Sequence, residues 1–212
     1  NTSPLNSQSE QISQFYSHPV WILNGKFIKS DPISITHRKA IAYQIKTLKL
    51  TDVADYGGGQ GALAEEICQA HSNATVDIIE PFPSEYITEK IQEERITFRS
   101  QLDRSYDLIV AQDVLEHVYS PLDLTLELIQ NLKMNGYLIL ANCFYPVIKC
   151  HLPHTFYLKF TLPWVMRFAG IKFVKKIDGA NHAHLFKKTG QLNYPALLKA
   201  DAFAKLIGPI LN

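Results

Sequence analysis

The chain lacks an excess of charge of either sign. Its 212 residues carry 21 lysines and arginines against 20 aspartates and glutamates, a formal net charge of +1. No general electrostatic pull on nucleic acid or on an anionic membrane is expected, so neither is counted among its partners. Cysteine is scarce and odd in number, at 3. Cys68, Cys143 and Cys150 have neither metal-ligand nor redox-pair spacing, which reads as free thiols in a reducing compartment. No apolar run reaches the length that crosses a bilayer, and no secretory leader is recognisable. The expected location is the cytoplasm. There is no internal repeat, and the only low-complexity stretch is the polar opening, Asn1 to Glu10.

The composition is that of a globular domain, with 46% hydrophobic and 19% charged residues. A chain of this length buries a sizeable core without disulfides or a structural metal. Residues 1–35 form an N-terminal segment. Its later part, Ser17 to Pro32, holds two prolines and reads as irregular. The main domain spans 36–190, and a helical tail covers 191–212.

Periodicity within the main domain alternates between helix and strand. A helix is predicted over Thr36–Leu48, with Thr36 as its cap. Strands follow at Asp52–Tyr56, Thr75–Glu80, Arg95–Arg99, Tyr106–Ala111 and Tyr137–Asn142. Within Tyr106–Ala111 the run Leu108–Ala111 is apolar throughout, the pattern of a strand buried on both faces. Helices are predicted at Ala62–His71, Ser84–Ile91, Pro121–Leu132 and Pro153–Ala169, the last kinked at Pro163. Asn135-Gly136 marks a turn. Ile171–Ile177 and His182–Lys187 read as a hairpin around Asp178–Asn181. The pattern implies a doubly wound α/β fold, its sheet mostly parallel, with an antiparallel edge strand from the C-terminal hairpin. The tail reads as an amphipathic helix closing near Gly208-Pro209.

The most informative run is Val53-Ala54-Asp55-Tyr56-Gly57-Gly58-Gly59-Gln60-Gly61. Gly57, Gly59 and Gly61 form G-x-G-x-G between a strand and a helix. Glycines allow the sharp turn and let a ligand approach the main chain. The helix N-terminus beyond them favours polar or negative ligand groups. Glu80, at the end of the next strand, can accept hydrogen bonds from both hydroxyls of a ribose. A nicotinamide cofactor stays open on these features, although its G-x-G-x-x-G fingerprint would place the third glycine one residue later.

Together with Asp113-Val114-Leu115-Glu116-His117, these motifs resemble the class I S-adenosylmethionine-dependent methyltransferases, over roughly Thr36 to Lys188. The similarity is greatest to the branch that modifies small molecules. It implies a Rossmann-like sheet of seven strands with the final strand reversed, and S-adenosylmethionine as cofactor. The implied cofactor contacts are Asp55, Tyr56, Gly57, Gly58, Gly59, Gly61, Glu80, Pro81, Gln112, Asp113 and His117. The adenine contact has only Asp103, or the backbone near Gln101 and Leu102, as candidates. The N-terminal segment, with Phe15, Tyr16 and Trp21, would close over the site as a lid.

Methyl transfer needs alignment and, for a hydroxyl acceptor, a base. His151 and His154 are the candidate bases, because relatives draw substrate-facing residues from the region after the fifth strand. His182 and His184 alternate with apolar residues and read as sheet-surface positions. No metal is expected: His151-x-x-His154 lacks further ligands for zinc, and magnesium prefers oxygen. Phe144, Tyr145, Phe156, Tyr157, Phe160 and Trp164 are candidates for the acceptor pocket, which suggests a partly apolar or aromatic small molecule. A non-catalytic S-adenosylmethionine-binding module and a nicotinamide-dependent oxidoreductase are the alternatives.

Overall fold

Asp31 and Pro32 set the first boundary in the computed structural model, which describes residues 20–81 and 91–211. Asp31 is extended, its Oδ2 accepts the Ser34 N–H at 2.8 Å, and Pro32 opens helix α2, Pro32–Thr47. Proline is tolerated there because the first N–H groups of a helix have no intrahelical partner. Before it, Val20–Ser30 forms helix α1. The irregular segment expected over Ser17 to Pro32 is therefore corrected in its described part, where Val20–Ser30 is helical, while Ser17 to Pro19 lie outside the described residues. Thr36 is not the cap either. Its hydroxyl donates to the Pro32 carbonyl one turn back.

Seven strands follow: β1 Asp52–Tyr56, β2 Thr75–Ile79, β3 Ile96–Arg99, β4 Tyr106–Gln112, β5 Leu132–Ala141, β6 Ile171–Ile177 and β7 Ala180–Lys188. Their order is β3-β2-β1-β4-β5-β7-β6. Strands β1 to β5 pair in parallel, and β7 is antiparallel to both β5 and β6. The reversed strand thus lies inside the sheet with β6 at the edge, which corrects the expected antiparallel edge. Because β1 has β2 on one side and β4 on the other, the chain changes direction across the sheet between them. In open α/β sheets the crevice at such a switch point receives ligands.

Both faces are covered. Ile41 and Ile45 of α2 and Leu63 and Ile67 of α3 (Ala62–Ala70) pack on Val53, Val76, Leu108, Val110 and Ile139. On the other face lie Leu128 of α4 (Pro121–Gln130), Leu162 of α5 (Leu158–Val165) and Leu197 of α6 (Tyr194–Leu211). They meet Ala54, Ile109, Leu138, Leu140 and Phe186. Consecutive β4 residues alternate between the two cores, so that strand is apolar on both faces as its composition predicted.

Other boundaries differ for local reasons. The helix expected over Pro153–Ala169 is divided into α5 and two flanking 3-10 turns, Pro153–Thr155 and Met166–Ala169. Pro163 sits within α5. Helix α6 continues past Gly208 to Leu211 with Pro209 in its last turn, where a proline removes only one helical hydrogen bond. Asn135 has φ +65° and makes a kink inside β5, and the β4–β5 register slips between Tyr106 and Leu108. The helix expected over Ser84–Ile91 lies, apart from Ile91, outside the described residues.

Asp77 of β2 anchors a polar cluster across the sheet. Its Oδ2 accepts from Arg99 Nε at 2.6 Å, Arg104 Nη2 at 2.9 Å and the fully buried Tyr106 hydroxyl at 2.9 Å. Removing one partner from such a cluster strands the others. Asp77→Ala should lower unfolding free energy by roughly 2–3 kcal/mol. Guanidinium denaturation would check this, and a loss below about 0.5 kcal/mol would mean that water replaces the carboxylate.

Candidate active site

The loop leaving β1 has left-handed backbone at Gly57, Gly59 and Gly61, with φ +69°, +51° and +71°. The surroundings of the three differ. A Cβ on Gly57 would lie 2.8 Å from Val114 Cγ2, and one on Gly61 would lie 2.4 Å from Ile91 Cδ1 and 2.8 Å from Ile78 Cδ1. Among the described residues, a Cβ on Gly59 would meet nothing within 4 Å. Two glycines therefore serve packing, and the third borders open space. The Gly57 N–H donates to the Ile79 carbonyl at 2.8 Å, and the Gly59 N–H donates to Glu80 Oε2 at 3.2 Å. Glu80 and the exposed Pro81 thus stand beside the loop at the end of β2. Gly61, the N-cap of α3, has no side chain to cap it, and the Asp55 carboxyl takes the Ala64 N–H of its first turn instead.

Asp55 lies beneath the loop, 2% exposed. It accepts from the Ala64 backbone, while its Oδ2 has no hydrogen-bond partner. Burial, and then the charge of Glu80, push its carboxyl up to about 7. Tyr56 is raised to about 12, first by burial and then by Glu127 and Glu80.

Helix α1 is a contact the sequence did not reveal. A Cβ on Gly25 would fall 2.1 Å from Gln60 Nε2, so α1 rests on the glycine loop through a residue without a side chain. Lys29 Nζ pairs with Glu65 Oε2 at 2.9 Å and ties α1 to α3. Trp21 belongs to this helix, whereas Phe15 and Tyr16 lie outside the described residues.

The end of β4 stands next to the loop. Gln112 is in register with Ala141 of β5, and the Asp113 N–H donates to the Ala141 carbonyl at 2.7 Å. Asp113 has φ +53°, and Val114 presses on Gly57. Asp103, the adenine candidate, is paired with Arg99 at 2.9 Å. Glu116 is 0% exposed. Its Oε2 accepts from Asn142 Nδ2 at 2.7 Å and its Oε1 from the Cys143 N–H at 2.7 Å.

The sequence-predicted histidines separate. His117 turns towards the segment after β5: its Nδ1 meets the Cys150 carbonyl at 3.1 Å, and its ring stands edge-on to His151 at 4.9 Å. Burial holds His117 below the usual imidazole range. His151 is buried, with Nδ1 on the Tyr145 carbonyl at 2.8 Å. His154 is exposed, bonded to the Tyr119 carbonyl at 3.0 Å and stacked on that ring. Glu116, His117 and His151 offer ligand-type atoms within 4.8 Å of one another. That grouping differs from the His151-x-x-His154 pair, and both Glu116 oxygens already accept hydrogen bonds.

Beyond the ends of β4 and β5 lies a cavity of about 430 Å³ between the sheet and α5. Phe144, Tyr145 and Phe160 line it, joined by Asn142, Lys159, Phe173, Lys176, His182 and His184. Tyr157 is instead a core residue whose hydroxyl donates to Asp201, and Trp164 packs against Phe168 and Phe203. His182 and His184, read from sequence as sheet surface, face this cavity. Their alternation was visible, but what covers their face was not.

A family model described as a methyltransferase domain matches residues 34–190. The chain belongs to that family. No curated protein sequence matches it. Among solved structures it is similar to the plantazolicin methyltransferase BpumL, at 15% identity and TM-score 0.59, covering 84% of this chain and 95% of that one. The magnesium protoporphyrin IX methyltransferase of Synechocystis PCC 6803 gives 15% identity and TM-score 0.59, over 84% and 98%. Human N-acetylserotonin methyltransferase gives 18% identity and TM-score 0.56, over 74% of this chain and 52% of that one. At these identities the likeness is one of fold. The family assignment removes the nicotinamide oxidoreductase that the glycine loop alone left open.

Two outcomes follow for the loop. Gly61→Ala combines left-handed backbone with a blocked Cβ and should destabilise by roughly 3 kcal/mol, whereas Gly59→Ala should cost only about 1 kcal/mol. Thermal melts would check this, and equal costs would show that the open space at Gly59 is not there. Asp55 has a folded pKa above its unfolded value of 3.8. Its stabilising contribution is therefore complete below about pH 4 and is lost as pH rises through about 7. Asp55→Asn should gain stability relative to the parent between about pH 5 and pH 8, by up to a few kcal/mol. Denaturant midpoints across that range would show it, and a pH-independent difference would contradict it.

Proposed function

We propose that the protein transfers a methyl group from S-adenosylmethionine to a small acceptor, with the donor over the glycine loop and the acceptor in the adjoining cavity. The observation that carries this is Gly59. Its left-handed backbone borders open space beside Glu80, above a buried Asp55 with an unpartnered oxygen. These residues fit a donor that carries positive charge on its methionine part and a diol on its ribose. The fold is shared with methyltransferases solved with S-adenosylhomocysteine, which supports the same donor here.

In this reading Gly57 to Gly61 and Asp55 hold the methionine part, and Glu80, followed by Pro81, holds the ribose. Tyr56 walls one side. Gln112 and Asp113 face the methyl end. His117 has its ring on Cys150 and His151, so we assign it to supporting the acceptor-side loop. Residues 1–35 act as a lid, and their helix α1 packs on the glycine loop. The expected location is the cytoplasm.

Bound S-adenosylmethionine supplies an electrophilic methyl group. The chain has to align the acceptor with it, and alignment alone contributes orders of magnitude in rate. For a hydroxyl acceptor it also takes a proton. His182 lines the cavity, and burial holds it below the ordinary imidazole range against the pull of Asp113. It is then neutral near pH 7 and able to act as base. His151 is the second candidate. Its Nδ1 is engaged by a carbonyl, which leaves Nε2 as an acceptor. His154 is fixed to the backbone of Tyr119 and is placed to support that turn.

Glu80→Ala should weaken S-adenosylhomocysteine binding about 100-fold, the value of two lost hydrogen bonds to a charged group. Calorimetry giving unchanged affinity would remove Glu80 from the donor site. With a hydroxyl acceptor, His182→Ala should lower kcat by about 100-fold with little change in donor affinity. Full activity in that variant would pass the role to His151.

A further inference from the structure

We infer that the cavity between β5–β7 and α5 receives a flat aromatic acceptor carrying a negative charge, which Lys159 and Lys176 recognise. This rests on the methyl-transfer reading and adds the class of acceptor.

The walls set the shape. Phe144, Phe160 and Phe173 supply aromatic surface, and Leu140, Leu158 and Leu162 supply aliphatic surface. A volume of about 430 Å³ is within the range of sites that enclose a small molecule. Apolar walls with a few polar groups favour a planar body.

The charges set the sign. Among the described residues the basic side chains lining this cavity are Lys159, Lys176, His182 and His184, and no carboxylate lines it. Among the described residues neither lysine belongs to an ion pair, whereas the neighbouring Lys175 pairs with Asp178 at 3.6 Å. Lys159 Nζ stands 5.5 Å from the Tyr145 ring centre and 4.9 Å from that of Phe160. Two rings thus hold this ammonium at the cavity wall. Glu116 bonds Asn142 and Asp113 acts on His182 and Tyr145, whereas the two ammonium groups have no acid of their own, so an anionic guest is favoured at the lysines.

A third observation places the reacting group. Asn142 lines the cavity and directly follows Ala141, the residue that pairs with Gln112 and takes the Asp113 N–H. The acceptor hydroxyl therefore belongs at the Asn142 end of the cavity, towards the methyl donor, and the anionic end belongs at Lys159 and Lys176. On transfer the bond from sulfur to methyl breaks, the bond from acceptor oxygen to methyl forms, and the hydroxyl proton passes to His182.

The test uses 6-hydroxy-2-naphthoate and its neutral amide, 6-hydroxy-2-naphthamide, which carry the hydroxyl and the carboxyl group at opposite ends of one flat ring system and differ in charge. Both are titrated by fluorescence into the full chain with S-adenosylhomocysteine present. The naphthoate should bind at least tenfold more tightly than the amide. The double variant Lys159→Gln, Lys176→Gln should lose about tenfold in naphthoate affinity and little in amide affinity, with an unchanged melting temperature. Binding of neither probe, equal binding of both, or a double variant that keeps full naphthoate affinity would overturn the inference. S-adenosylhomocysteine alone, titrated calorimetrically, separates the two readings. No binding there sinks the donor assignment, whereas tight binding without charge discrimination between the probes sinks only the acceptor class.

Discussion

The two sides of the crevice are joined by one buried carboxylate. Glu116 has no exposure to solvent, and an ionised group in that position is tolerated only with close donors on its oxygens. It has them in the Asn142 amide and the Cys143 backbone, both at 2.7 Å, and its own carbonyl takes the Leu152 N–H at 2.9 Å. All three partners belong to the segment leaving β5. A residue from the exit of β4 therefore dictates the path of the chain after β5. It orients Asn142 at the cavity mouth and brings Leu152 to the turn that carries His151 and His154. Loss of this carboxylate would release the acceptor side while leaving the glycine loop intact.

The glycine loop is fixed to the same exit from the opposite direction. Val114 occupies the space that a side chain on Gly57 would need, and Asp113 reaches Ala141 through its backbone. The left-handed turn at β1 and the left-handed residue after β4 are thus two halves of one packing arrangement. It sits where the strand order switches, between β1 and β4, so the crevice follows from topology before any side chain is considered. The polar cluster around Asp77 lies on the same sheet and clamps β2, β3 and β4 together.

Features that depend on local pattern were legible in the sequence. Strand β4 was recognisable as buried on both faces because every residue from Leu108 to Ala111 is apolar. The glycine loop and Glu80 were recognisable because strand, turn and helix succeed one another within a few residues. Features that depend on what covers a surface were not. Helix α1 falls within a stretch that reads as irregular from its prolines, and its Gly25 packs against the Gln60 side chain of the glycine loop. His182 and His184 alternate with Ala183 and Leu185 as a solvent-facing strand would, and period-two patterning does not distinguish water from a cavity wall. The internal position of β7 was hidden for a related reason. A hairpin signal fixes the pairing of β6 with β7, and the choice of which one meets β5 is made by distant residues.

Charge runs along the crevice with a consistent polarity. Asp55, Glu80 and Asp113 gather at the end formed by β1, β2 and β4. Lys159 and Lys176 stand at the cavity formed with α5 and β6, which His182 and His184 also line. The net charge of +1 conceals this separation, because the two ends nearly cancel in the sum. A cationic methyl donor and an anionic acceptor would each find its complement at one end and its repulsion at the other. Such an arrangement orders two partners without lengthening the list of contacts, since exchanging their positions would set like charges together. The histidines lie where these fields meet, and a proton leaving the acceptor would be passed on at that point.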